Sequence, residues 1–289
     1  MEDLKINCPW CNGNAKLVYK NFPSKTTNIY RCEKCKIMFQ SPLPSEEEIF
    51  NMYSEEYFSS WGDNDFLEVT KKGDFKRYIK LIEKFNTTNE KKLLDIGTAQ
   101  GFLLEVAQER GWDVKGIEMS HSVKVSNKKI KDKIIYGDFL KLNFQKEEFS
   151  AITSISLFEH IREPKKFTRK VHYILKSEGL WLVLVPNIDS FQRKILGKRW
   201  PHFNPPHLFY YNFKFFEFLC SENGFEIIYK KIPYTNYSLS YISNQISLNS
   251  SGIFSSIAKI LRNTLPHFFL QKEIKISGGN LLVLLRKIS

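Results

Sequence analysis

A chain of 289 residues, 42% hydrophobic and 26% charged, has room for one large domain plus a small one and is too apolar for intrinsic disorder. No apolar run approaches the ~20 residues of a bilayer-spanning helix, and the acidic start Met1-Glu2-Asp3 lacks the apolar core of a signal peptide. A cytoplasmic location is therefore expected, with the inner face of the membrane as the alternative. The net charge of +12 suits either a solvated lysine-rich surface or attraction to a polyanion.

Four of the five cysteines fall into two pairs: Cys8-Pro9-Trp10-Cys11 and, twenty residues on, Cys32-Glu33-Lys34-Cys35. Each CxxC can sit on a tight turn that aims two thiolates at one point, and two such turns make a closed four-thiolate site suited to structural zinc. Disulfides are not expected in a reducing cytosol. Leu17-Val18-Tyr19 and Ile29-Tyr30 read as short hairpin strands between the pairs. So small a unit would draw much of its folding free energy from the metal. Cys220 reads as a buried helix residue.

Ser41-Pro42-Leu43-Pro44 marks a boundary. Ser45 followed by Glu46, Glu47 and Glu48 has the look of a capped helix start. Tyr53, Tyr57 and Phe58 form an aromatic patch that either packs on the next domain or covers a ligand. A helix is expected over Phe66 to Phe85.

From Lys91 strand and helix patterns alternate. Strands are expected at Leu93–Ile96, Val114–Ile117, Lys133–Tyr136, Phe149–Ile155 and Trp181–Val185. Helices are expected at Phe102–Arg110, about Ser120–Lys129 and Pro164 to about Leu175. Such alternation predicts an α/β fold, a parallel sheet with helices on both faces. Ligands of such sheets bind at the strand C-termini, where the Gly97-Thr98-Ala99-Gln100-Gly101 turn lies. Glu118, ending the second strand, can accept from ribose hydroxyls. A nicotinamide dehydrogenase shares this geometry, but no GxGxxG is present, and Asp95 would repel a pyrophosphate while suiting a ligand's ammonium group.

The run Leu94-Asp95-Ile96-Gly97-Thr98-Ala99-Gln100-Gly101 resembles the first signature of class I S-adenosylmethionine-dependent methyltransferases. Glu118, Gly137-Asp138 and Leu157-Phe158-Glu159-His160-Ile161 resemble the later signatures, in order. The cysteine pairs, the Pro-Leu-Pro-Ser-Glu-Glu-Glu linker, Tyr53 to Phe58, Pro205 to Tyr210 and Asn223-Gly224-Phe225 resemble the zinc-ribbon branch of that family, often associated with bacterial surface-glycan synthesis. Ala99 departs from the pattern, which often has glycine there. The resemblance implies a Rossmann-like seven-stranded sheet, the last strand (Leu281–Arg286) inserted antiparallel between the fifth and a sixth at Glu226–Ile232. It implies that Gly97, Thr98 and Gly101 pack on the methionine part and ribose of S-adenosylmethionine, and that Asp95 holds the ammonium group. It places Glu118 on the ribose hydroxyls, Met119 and Phe139 beside the adenine, Asp138 on the adenine amino group, and Ser156 and Leu157 beside the sulfonium.

Methyl transfer needs no acid for its leaving group, but a hydroxyl acceptor must lose a proton. His160 and His207 are the candidate bases. Asn212 caps a helix with Phe213, Phe216, Leu219 and Cys220 on one face. Arg193, Lys194, Lys198 and Arg199 follow the fifth strand, with Trp200, Phe203, Phe209 and Tyr210 close behind. Cations beside aromatics suit a sugar on an anionic carrier, or form an exposed basic loop without a ligand. Ile253 to Leu261 has helical spacing and suggests a lid, or alternatively a peripheral membrane contact.

The expected organisation is a zinc ribbon at 1–41, a linker and helical cap at 42–86, and a methyltransferase domain at 87–289 with a lid-like insertion at about 234–279. The expected activity is O-methylation of a sugar or other small-molecule or lipid-linked acceptor in surface-glycan synthesis, with no nucleic-acid partner. The alternatives are an rRNA methyltransferase and a non-catalytic S-adenosylmethionine-binding scaffold.

Overall fold

The computed structural model describes residues 6–45, 47–49, 65–121, 125, 127–240, 243, 265–270, 273–277 and 279–288. Tyr53, Tyr57 and Phe58, and the Ile253 to Leu261 segment, lie outside the described residues.

The central sheet grows from short apolar runs that alternate with amphipathic helices. In chain order these are α1 (Asp65–Phe85), β5 (Lys92–Ile96), α2 (Phe102–Glu109), β6 (Asp113–Glu118), α3 (Lys128–Lys131), β7 (Ile134–Tyr136), β8 (Phe149–Ile155), α4 (Pro164–Ile174) and β9 (Leu175–Pro186). After α5 (Phe191–Leu196) and β10 (Phe209–Tyr210) come α6 (Phe213–Asn223), β11 (Phe225–Lys231), β12 (Tyr234–Ser238), α7 (His267–Leu270), β13 (Glu273–Ser277) and β14 (Asn280–Lys287). Seven strands order as β11-β14-β9-β8-β5-β6-β7. β14 runs antiparallel to both β9 and β11, with Val283 opposite Val183, while the pairs from β9 to β7 are parallel. This is the sheet the resemblance implies. β9 is buried from Gly179's neighbour Leu180 through Pro186, as an interior strand covered on both faces must be. β5 pairs with β6 on one side and β8 on the other, so the chain changes direction at its C-terminal end and opens a crevice there.

α2 buries Phe102 to Ala107 without a break. Lys72 of α1 reaches Glu105 of α2 at 2.6 Å, and Glu83 accepts from Arg110 and, at 3.3 Å, from the Trp112 indole. Asn212 accepts from the Phe215 N–H at 2.9 Å and caps α6, which Gly224 ends in a left-handed conformation. The Ser45 hydroxyl accepts from the Glu48 N–H at 3.1 Å, and a Glu48 carboxylate oxygen accepts from the Ser45 N–H at 2.7 Å. That reciprocal pair is the capping box expected there.

Two expectations need correction. Ser120, His121, Val125 and Asn127 are not helical, and α3 spans only Lys128–Lys131 behind an Asn127 cap. A serine such as Ser120 competes with the backbone for hydrogen bonds and disfavours the helix interior, which the lysine-rich pattern does not reveal. In the insertion, the described residues include an antiparallel pair, β12 with β13, that the helical-lid expectation did not contain.

At the N-terminus, β1 (Ile6–Asn7), β2 (Asn14–Tyr19), β3 (Asn28–Cys32) and β4 (Met38–Ser41) form a meander. Its fifth strand is β10, which pairs with β4 through Phe209 opposite Phe39 and Tyr210 opposite Met38. The meander is therefore completed by chain from beyond β9. Trp10, between the first two cysteines, sits edge-on to Phe215 of α6 (4.9 Å) and to Phe158 (6.5 Å). Cys8, Cys32, Cys35 and Phe39 belong to the same buried cluster as Trp181 and Val283.

Candidate active site

The turn after β5 is shaped by its small residues. Gly97 and Gly101 both have left-handed φ (+75° and +80°). A Cβ at Gly97 would meet Leu157 Cδ1 at 2.9 Å, and one at Gly101 would meet Ile130 Cγ2 at 2.6 Å. Glycine satisfies both the backbone angle and the close approach. Ala99 adopts φ +47° in the same turn, at the position where the resemblance expects glycine. The backbone takes the glycine-like conformation despite the added methyl.

Two acids border this turn. Asp95, 4% exposed, accepts from the Thr153 hydroxyl at 2.6 Å. Burial pushes its carboxyl up to about 7, against the Thr153 bond. A buried carboxyl poised at that value would gain from a cationic ligand group. The buried Thr98 hydroxyl lies beside it and opposes the same rise. Glu118 accepts from the N–H groups of Ala99 (2.9 Å), Met119 (2.9 Å) and Ser120 (3.1 Å). Burial raises its carboxyl, and those three donors oppose the rise. Glu118 thus ties the turn after β5 to the end of β6 and retains about one lone-pair site for a ligand hydroxyl.

Asp138 accepts from the Leu140 N–H at 2.9 Å and is partly exposed. Met119 is exposed. Ser156 takes a left-handed φ of +50°, and Leu157 abuts the Gly97 turn. The Phe139 ring is buried against Phe167 (4.9 Å) and Phe144 (6.0 Å). Asp95, Thr98, Glu118, Ser156 and Leu157 do come together around the C-terminal ends of β5, β6 and β8.

The single turn after β8, Phe158–His160, carries a second group. Glu159 is buried, and burial pushes its carboxyl up to about 8. His160 Nδ1 donates to the Pro206 carbonyl at 2.9 Å, and burial lowers its imidazole to about 4. The His207 ring stands edge-on to His160 at 4.6 Å and parallel to His202 at 5.7 Å. Burial holds it well below the ordinary histidine range. The two histidines expected as bases are therefore neighbours, both neutral near pH 7. Glu159 and His202 were not expected at the site. The Glu159-His160 adjacency at a strand end and the five-residue spacing of His202 and His207 were the available signals.

The cysteine cluster fits a metal. Sγ atoms of Cys8 and Cys35 lie 3.6 Å apart, those of Cys11 and Cys32 3.4 Å, and all four lie within 4.8 Å of one another. A tetrahedron of thiolates around zinc, with bonds of about 2.3 Å, has edges of about 3.8 Å. Asn12 and Lys36, each just after a second cysteine, have left-handed φ (57° and 68°) that curl the loops around the sulfurs. The Lys34 and Cys35 N–H groups donate to Cys32 Sγ at 3.3 and 3.4 Å, which favours the thiolate.

Residues 71–230 match the family described as Methyltransferase domain. The chain belongs to that family. Among relatives, an uncharacterized protein of Methanocaldococcus jannaschii is 25% identical over 221 residues, spanning 69% of this chain and 92% of that protein. A ubiquinone biosynthesis O-methyltransferase of Histophilus somni is 26% identical over 151 residues, 47% of this chain and 61% of that one. A SAM-dependent methyltransferase from Archaeoglobus fulgidus shares the fold at TM-score 0.50 and 16% identity, covering 84% of this chain and 100% of that one. One from Thermotoga maritima does so at TM-score 0.51 and 13% identity, over 83% and 99%. The chain thus carries a methyltransferase domain, in the fold that those two S-adenosylmethionine-dependent enzymes share.

The basic segment is placed differently from expectation. Trp200, Phe203, Phe209 and Tyr210 are all buried; Trp200, Phe203 and Tyr210 pack with Ile29 and Met38 of the N-terminal meander. They hold the two parts of the molecule together and offer no face to a sugar. Lys198 Nζ lies over the Tyr19 and Phe22 rings (5.4 and 5.9 Å), and Lys194, Lys198 and Arg199 are all exposed. No helix among the described residues is long and apolar enough to cross a membrane.

Proposed function

We propose that this methyltransferase transfers the methyl group of S-adenosylmethionine to a hydroxyl of a sugar or other small acceptor on an anionic carrier, in cell-surface glycan synthesis. The observation that carries the donor assignment is the pair of buried acids flanking the glycine turn. Asp95, with its carboxyl raised by burial, has no cation beside it among the described residues, and the methionine ammonium would supply one. Glu118 stands at the end of β6 for the ribose, with Asp138 and Met119 at the adenine end. Donor chemistry asks little else: the acceptor oxygen attacks the methyl carbon, the carbon–sulfur bond breaks, and sulfur leaves as a neutral thioether. The protein positions the two partners and excludes water.

A hydroxyl acceptor is favoured by the buried Glu159–His160–His207 group, which would handle the acceptor's proton. The relatives described as O-methyltransferases are consistent with that. The carrier assignment rests on Lys194 and Arg199, exposed after β9. On this reading the ribbon at 1–41 would hold one structural zinc through Cys8, Cys11, Cys32 and Cys35. The segment 42–86 would support the 87–289 methyltransferase unit.

The direct test is calorimetry with S-adenosylmethionine, followed by label transfer from methyl-tritiated donor into nucleotide-sugar and lipid-linked sugar fractions. Binding of the donor with label appearing only in rRNA would replace the glycan reading. Failure to bind the donor would remove the enzymatic one.

A further inference from the structure

Outside the cofactor turn, three metal-ligating side chains converge. Glu159 and His160 come from the single turn after β8, and His207 comes from the loop before β10. One donor atom from each lies within 4.8 Å of the other two. The Glu159 side chain is 1% exposed and His207 7%. Glu159 Oε2 and His207 Nδ1 are both buried with no hydrogen-bond partner among the described residues. Two electron-rich atoms buried in one pocket repel each other unless something electron-poor lies between them.

The rings are set for that. His160 Nδ1 donates to the Pro206 carbonyl at 2.9 Å, so the proton sits on Nδ1 and the lone pair on Nε2. Nε2 is the nitrogen that faces Glu159, 3.9 Å from Oε1. On His207, Nδ1 is buried without a hydrogen-bond partner among the described residues. A backbone acceptor on one ring nitrogen fixes the tautomer and aims the other, as in histidines that bind metal.

We propose that Glu159, His160 and His207 form a divalent-cation site that takes a first-row transition metal, such as Zn²⁺ or Co²⁺, and binds the acceptor hydroxyl. Two imidazoles and one carboxylate suit such ions better than Mg²⁺ or Ca²⁺, which prefer oxygen. Three protein ligands leave a coordination position open, unlike the four-cysteine cluster. Metal bonds of about 2.1 Å would draw the ligand atoms about an ångström closer, within the reach of side-chain torsions. Glu159 follows two residues after Leu157, which abuts the Gly97 turn, so the cation lies beside the reacting methyl group.

The role rests on the hydroxyl-transfer reading above; the binding does not. The acceptor R–OH coordinates through oxygen, the cation lowers its pKa, and its proton leaves to solvent. The resulting alkoxide lone pair forms the oxygen–carbon bond as the carbon–sulfur pair returns to sulfur. His160 and His207 then act as ligands, not as bases.

The test titrates Co²⁺ into the full chain carrying zinc in its cysteine cluster. The expected result is one further equivalent with d–d absorption and no thiolate charge-transfer band. That equivalent is lost in His207→Ala and in Glu159→Gln, with S-adenosylmethionine affinity within about twofold of the parent. Overturning results are no further equivalent in the parent chain, a further equivalent that shows thiolate charge transfer, or one that persists in both variants. Calorimetry with S-adenosylmethionine on the same samples separates the two ideas. Donor binding without the extra cobalt sinks only the cation site, and absent donor binding sinks the enzymatic reading whatever the cobalt does.

Discussion

The Gln40 side-chain amide, on β4 of the N-terminal meander, donates to the main-chain carbonyl of His207 at 2.8 Å. The same nitrogen lies 3.1 and 3.2 Å from the carbonyls of Asn204 and Pro205, and the Gln40 N–H donates to Leu208 O at 3.0 Å. One ribbon residue thus holds the loop that presents His207. Gln40→Ala is expected to leave buried carbonyls unpaired and to cost about 1–3 kcal/mol. S-adenosylmethionine affinity should stay as it was, because the donor crevice lies on other elements, while methyl transfer to the acceptor slows. Chemical denaturation and donor calorimetry on the variant check this. Unchanged stability would show that the amide does not support the loop.

Cys32→Ser tests the ribbon. Cys32 Sγ accepts two N–H bonds and pairs with Cys11 at 3.4 Å. Zinc that resists dialysis in the parent is expected to be lost in the variant. Because Trp10, Cys8 and Cys35 share a core with Phe158 and Phe215, the whole chain should melt at lower temperature, not the ribbon alone. Metal analysis with scanning calorimetry reads both effects. A separate low-temperature transition beside an unshifted main one would contradict the shared core.

Asp95 gives a pH signature. Its ordinary value is 3.8 and burial raises it to about 7. Between those values the folded chain holds a proton that the unfolded chain has released, so its contribution to stability falls as pH rises through that window. The ligand-free parent should therefore lose ground to Asp95→Asn between pH 4 and 7, by a difference on the order of 4 kcal/mol across the window. Saturating S-adenosylmethionine should reverse that order near pH 7, because the ammonium group pairs with the ionised carboxylate. Paired denaturation curves at several pH values make the comparison. Parallel pH profiles for the two proteins would rule out a raised Asp95.

Glu118→Ala removes the acceptor of three N–H bonds that join the Gly97 turn to β6. Hydrogen bonds to a charged group are each worth about 1.5–3 kcal/mol. Donor affinity is expected to fall by roughly 10- to 100-fold, with NADH binding neither protein. Isothermal calorimetry measures it. Retained affinity would mean that the ribose is held elsewhere.

For the carrier, Lys194 and Arg199 are the place to reverse charge, because exposed Lys198 also packs over the Tyr19 and Phe22 rings. Lys194→Glu with Arg199→Glu should raise the acceptor's KM at least tenfold and leave donor affinity alone, because the two residues flank the region after β9 and not the Gly97 turn. Raising salt should weaken the parent in the same direction. An unaltered KM would detach the anionic carrier from the proposal.

Local pattern determined the parts whose cause is local. The buried runs at Leu93–Ile96, Phe149–Ile155 and Trp181–Val185, the Asn212 cap, the Ser45–Glu48 box and the paired cysteines are each specified within a few residues, by periodicity, turn chemistry or ligand spacing. The family's motifs carried the insertion of β14 between β9 and β11, because no local rule sets which edges of a sheet meet. Tertiary structure alone decided the rest. That Phe209 and Tyr210 pair with Phe39 and Met38 across 170 residues of sequence follows from burying two apolar faces against each other, and neither face shows its partner in isolation. The same burial took Trp200 and Phe203 out of reach of any sugar. It set Glu159 beside His160 and His207 in a site that their positions in the chain do not announce, since the loop before β10 is brought there only by Gln40 and by the strand that completes the ribbon.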